Sequence, residues 1–216
     1  TKKDSLEFAL MKARLEIYYE NIPSNSLRLY KSKVEESPSD QNIYGLSLAY
    51  KNNNNYEQSI KLIDSLIIKF PKNLVLNTTK VDLLTHFKKY DEALALANKF
   101  LEISPKNYPL SISKSKILLQ TGKYFESEEL IRDQLLRKND DPELWLLLSE
   151  IQRTSQNIVG YHQSRAEYFL LLGQNEQALN QLEFALQMTQ NNFQVSERIM
   201  TKIIEIKKTL QGARGL

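Results

Sequence analysis

The chain has 216 residues, 41% of them hydrophobic and 25% charged, with a formal net charge of +3. This composition suits a globular protein with a sizeable core and lacks the dense, clustered Lys and Arg of a nucleic-acid binder. The absence of cysteine excludes disulfides and thiolate metal sites, and no apolar run approaches the ~20 residues needed to span a bilayer.

In chain order, period-3.6 patterning predicts a helix from Leu6 to Glu20 and another from Pro23 to Glu36, a degenerate pair within residues 1–38. The next unit, 39–71, carries helices at about Asp40–Asn52 and Tyr56–Phe70, with small Ser47 and Ser59 where the two should cross. Unit 72–105 repeats the plan, with helices at about Leu74–Lys88 and from Tyr90, and Ala93 at the small position. Unit 106–141 follows with Tyr108–Thr121, a turn at Gly122 suited to the left-handed residue that closes a helix, and a second helix from Tyr124. Pro142 opens the unit 142–190 at a first helical turn, with Asp141 placed to cap it. There the pattern slips. The helix at about Ile158–Leu172 has large Tyr161 where a small residue is expected, yet Ala166 and Gly173 fit the first helix of a further pair with Ala178, so an irregular extra helix is shared or inserted near 158–172. Residues 191–216 form a C-terminal capping helix from Phe193, with Val195, Ile199, Ile203 and Ile206 on one stripe.

Pro38, Pro71, Pro105 and Pro142 lie 33, 34 and 37 residues apart, and Tyr56, Tyr90 and Tyr124 recur every 34. A helix–turn–helix repeating at this period is the signature of tetratricopeptide (TPR) repeats. The expected fold is all-α: a TPR-like right-handed superhelical solenoid of antiparallel helix pairs, about 12 helices in a single domain.

Nothing in the sequence predicts catalysis. There is no His-Glu-x-x-His and no phosphate-cradling glycine loop, and His86 and His162 stand far apart without partner ligands at helical spacing. No cofactor or metal is expected in this segment, nor a nucleic-acid partner. The expected site is a concave groove for protein or peptide partners, lined by the first helix of each pair: Tyr44, Leu48, Lys51 and Asn52; Thr78, Asp82, Thr85 and His86; Ile112, Lys116, Leu119 and Gln120; Leu146, Glu150 and Arg153. Its mixture of apolar side chains and charges of both signs suits a polypeptide rather than a phosphate backbone.

Segments at both ends go beyond a generic repeat. LEFALMKARLEIYY (6–19), SLRLYKSKVEESP (26–38), DDPELWLLLSEIQRT (140–154), YHQSRAEYFLLLGQNEQALNQLEFALQM (161–188) and SERIMTKIIEIKKTL (196–210) together resemble the C-terminal TPR domain of the β-barrel assembly-enhancing (BepA-type) zinc metalloproteases. The string from His162 to Tyr168, with Arg198-Ile199, is its most specific part. The resemblance implies a periplasmic protein whose zinc lies in a separate protease domain. It also implies partners among the outer-membrane barrel-assembly machinery and its barrel substrates. The start at Thr1, without Met, suits a segment of a longer chain. The competing expectation is a free-standing TPR adaptor with no enzyme attached.

Overall fold

A computed structural model describes residues 5–189 and 192–214, with side chains described through Gln211. The described residues form 12 helices and no strand: α1 Leu6–Tyr19, α2 Pro23–Glu36, α3 Asp40–Asn52, α4 Tyr56–Lys69, α5 Leu74–His86, α6 Tyr90–Ile103, α7 Tyr108–Gln120, α8 Tyr124–Leu135, α9 Pro142–Thr154, α10 Ile158–Leu171, α11 Asn175–Gln187 and α12 Phe193–Arg214. They fall into two compact units, the first ending at Ile117 within α7 and the second beginning at Leu118. The expected boundary at 190/191 lies outside the described residues, as do the first four residues of the 1–38 segment and the last two of the chain.

The repeat is more regular than its prolines. The odd-numbered helices begin at Leu6, Asp40, Leu74, Tyr108 and Pro142, each 34 residues after the last. Each is capped by the residue before it: Ser5, Ser39, Asn73, Asn107 and Asp141 accept a hydrogen bond from a backbone N–H of the first turn, satisfying one of the donors a helix start leaves unpaired. The widening from 34 to 37 seen in the prolines is therefore not a widening of the repeat. Pro105 stands two residues before its cap and Pro142 one residue after, at the first helical position, where a missing N–H costs nothing. The period also reaches back into the first pair, which keeps the register of the others.

The turns inside the pairs obey the same period. Asn54, Lys88, Gly122 and Gln156 take left-handed φ values of 56°, 59°, 77° and 64°. At each, the next residue's N–H reaches back to a carbonyl five residues earlier, as in Asn55 to Tyr50, Lys89 to Leu84, Lys123 to Leu118 and Asn157 to Gln152. These are Schellman closures that satisfy otherwise open carbonyls. A fifth follows only 17 residues on, with Gly173 at φ 72° and Gln174 bonded to Phe169. Half a repeat separates the last two turns, so α10 ends one pair and starts another. It packs on both α9 and α11, which gives the expected irregular helix its structural form.

Each unit has its own core. In the first, α1 and α2 both pack on α3, burying Leu10, Ala13, Ile17 and Tyr30 with Ile63, Leu66, Leu76 and Leu83; a second cluster joins Val81, Leu84, Ala93, Ala97, Leu110 and Ile117. In the second, Ala166, Ala178, Leu182 and Ala185 pack with Ile199, Ile203 and Ile206 of α12. The expected small residues are fully buried at their crossings: Ser47, Ser59, Ala93, Ala166 and Ala178 are all 0% exposed.

Candidate partner-binding cleft

In the first unit, four odd-numbered helices line a cleft of about 530 Å³, within the size range of small-ligand and peptide pockets. From α1 come Arg14, Ile17 and Tyr18, with Glu20 just beyond its end. Leu48, Lys51 and Asn52 come from α3, Thr79, Asp82 and Leu83 from α5, and Lys116 from α7. The register explains this convergence. Arg14, Leu48, Asp82 and Lys116 stand 34 residues apart, so each occupies the same place on its helix.

Polar bonds fix the cleft wall. Arg14 donates through Nε to the Tyr44 hydroxyl at 3.0 Å and through Nη2 to Thr79 Oγ1 at 2.7 Å. The two hydroxyls lie 2.9 Å apart, and Thr79 donates to the Val75 carbonyl at 2.7 Å. A consistent donor order follows: guanidinium to Tyr44, Tyr44 to Thr79, Thr79 to its own helix. Asp82 accepts from Ser113 Oγ at 2.7 Å. Burial raises its carboxyl above the usual value, against the opposing pull of the Ser113 hydrogen bond and of Arg14, Lys51 and Lys116. Burial lowers Lys51, with Asp82 opposing and Arg14 assisting. His86 is also lowered, by burial and by the charge of Lys51.

Of the expected groove residues in this unit, Leu48, Lys51, Asn52, Asp82 and Lys116 meet in the cleft. Tyr44 does not reach it from the surface: it is 0% exposed, because α1 packs over α3 and Arg14 and Thr79 take its hydroxyl. Thr78 is also buried, Thr85 is half-buried and bonded to the Val81 carbonyl, and Ile112 is half-buried. His86 is exposed beside Asn54. In the second unit, Leu119 is buried, while Gln120, Leu146, Glu150 and Arg153 are exposed and line no cleft described in that unit. The residues that sequence reasoning missed are those of α1, above all Arg14, together with Thr79 and Leu83. Counting 34 back from Leu48 would have found Arg14.

Among the described residues, no group of three or more His, Asp and Glu side chains is placed to hold a metal, and no helix is long and apolar enough to cross a membrane.

Comparison with known proteins agrees with this architecture. Residues 84–151 match a family model described as tetratricopeptide repeat. No curated protein matches the chain in sequence. Among solved structures, PilW, a widely conserved type IV pilus biogenesis factor, superposes with a TM-score of 0.62 at 12% identity, covering 91% of each chain. PilF of Pseudomonas aeruginosa gives 0.56 at 12% identity, over 91% of this chain and 96% of that one. A thermophilic TPR protein of Thermus thermophilus gives 0.55 at 15% identity, over 93% and 100%. At these identities the likeness is one of fold: the chain has the all-α TPR fold.

Proposed function

We propose that this chain is the partner-binding TPR domain of a periplasmic zinc metalloprotease that acts in outer-membrane β-barrel assembly and quality control. In this reading it holds the assembly machinery or stalled barrel proteins while a separate domain supplies zinc and peptide-bond chemistry. The observation that carries the binding role is the cleft on α1, α3, α5 and α7, where aliphatic Ile17, Leu48 and Leu83 lie beside charges of both signs. Such a lining suits a polypeptide presenting mixed side chains. The envelope context rests on the resemblance of segments 6–38 and 140–210 to the BepA-type enzymes.

The test is the gene upstream of Thr1. A signal sequence followed by a helix bearing His-Glu-x-x-His is expected; a short leader with neither rejects the protease parent. The second reading, a free-standing TPR adaptor, is favoured by one observation. A solved protein described as a type IV pilus biogenesis factor, and not as an enzyme, has this fold.

A further inference from the structure

The cleft of the first unit carries an uneven distribution of charge. Arg14, Lys51 and Lys116 all act on a single inner carboxylate, Asp82. None of them forms an ion pair with it within 4.0 Å among the described residues. Asp82 turns instead to the Ser113 hydroxyl, and the hydrogen-bonded partners of half-buried Arg14 are neutral oxygens. The other acid of the lining, Glu20, accepts from the Ile22 N–H at 2.9 Å. A half-buried guanidinium without a carboxylate partner, beside two further cations, leaves a positive field in a site partly screened from water, where it acts more strongly than on an open surface. Ile17, Leu48 and Leu83, each buried, line the same cleft.

We propose that this cleft receives an acidic residue of a partner polypeptide, its carboxylate held among Arg14, Lys51 and Lys116 and an adjacent aliphatic side chain seated on Ile17, Leu48 and Leu83. The inference deepens the partner-binding reading above and rests on it. The aliphatic lining selects a carboxylate with an apolar neighbour over a bare oxyanion. Asp82 then has a definite part: its negative charge opposes the ligand, and it keeps the three cations from repelling one another when the cleft is empty.

The test is fluorescence anisotropy on the whole chain with a short labelled peptide of alternating Glu and Leu, against its Gln-for-Glu counterpart and inorganic phosphate. The Glu peptide is expected to bind at least ~10-fold more tightly than the Gln peptide, and to weaken as salt rises. Lys116→Gln, an exposed change with no consequence for folding, should weaken binding. Asp82→Asn should tighten it, a direction no loss of structure would produce, and Lys123→Gln in the second unit should change nothing. Equal affinity for the two peptides, weaker binding by Asp82→Asn, or displacement by phosphate at peptide-like concentrations would overturn the proposal. Capture of an unfolded outer-membrane barrel protein is measured separately. Equal capture by wild type and Lys116→Gln overturns the acidic-residue site and leaves the partner-binding reading standing. Glu-selective peptide binding without barrel capture supports the site and counts against a barrel substrate.

Discussion

Where α3 crosses α4 in the first unit, Ser47 and Ser59 each donate to the other's backbone carbonyl at 2.9 Å. Where α9 crosses α10 in the second, Gln152 takes over. Fully buried, it donates to Glu128 of α8 at 3.0 Å and accepts from Ser164 of α10 at 2.7 Å. The serine lock joins two helices and uses little volume. The glutamine relay spans three helices and ties α10 to the pair before its own. A buried polar group must keep its partners, since leaving one unsatisfied costs about 1–3 kcal/mol. The second device therefore holds α10 in place on its α9 side while its opposite side remains available to α11. A repeat can slip by half a period where a side chain of sufficient reach bridges the gap.

The largest expected effect comes from the tightest point of the first unit. A Cβ on Gly45 would lie 1.9 Å from a ring carbon of buried Tyr30. Gly45→Ala gains up to ~1 kcal/mol of helix propensity, but the overpacked ring of Tyr30 should cost about 3 kcal/mol. Denaturant unfolding should show net destabilisation; a more stable variant would mean that α2 can move off α3 freely. Next is the relay. Gln152→Leu should cost about 2 kcal/mol by stranding the Ser164 hydroxyl, against about 1 kcal/mol for Ser47→Ala, which removes one of two reciprocal bonds. Equal losses in chemical denaturation would erase the distinction drawn between the two crossings.

The smallest effect lies at the α1–α2 contact. Glu16 pairs with Lys33 at 2.6 Å and accepts from the Tyr30 hydroxyl at 2.7 Å. Burial pushes its carboxyl up, but those two hydrogen bonds and the Lys33 charge prevail, and it sits below the usual 4.5. A depressed folded value means that the pair's contribution is complete above 4.5 and fades as pH falls through the folded value. Glu16→Gln should thus cost under ~1 kcal/mol at neutral pH, as expected of a half-exposed pair, and should remove that part of the acid dependence of Tm. An unchanged acid dependence would assign it to other carboxylates.

Much of the fold was legible because its signals are local. Capping Asp141, the glycine at 122 and the small residues at the crossings each carry their own chemistry, and the expected helix limits fall within a few residues of the observed ones. The half-repeat slip was legible as well, because it is announced at Gly173, a residue free to take positive φ only 17 positions after the in-register turn at Gln156. The regular turns at Lys88 and Gln156 were harder to see, because neither residue has an intrinsic preference for positive φ. Prolines misled for a related reason: they tolerate several places around a cap, whereas the cap itself has one. For the cleft, α3, α5 and α7 were identified and α1 was not, since a recurring proline precedes each of those three and none precedes α1. The burial of Tyr44 depends on Arg14 and Thr79, residues 30 and 35 positions away, a proximity that only the assembled fold creates.

The most direct test of a polypeptide-binding cleft in the first unit is site-specific photocrosslinking to an unfolded outer-membrane barrel protein. The probe is placed at Lys116 in the cleft or at Ile68 on α4, an 82% exposed position outside it. Crosslinking at 116, competed by unlabelled barrel protein and absent at 68, is the expected result; equal crosslinking at both positions, or crosslinking at 68 alone, would contradict it.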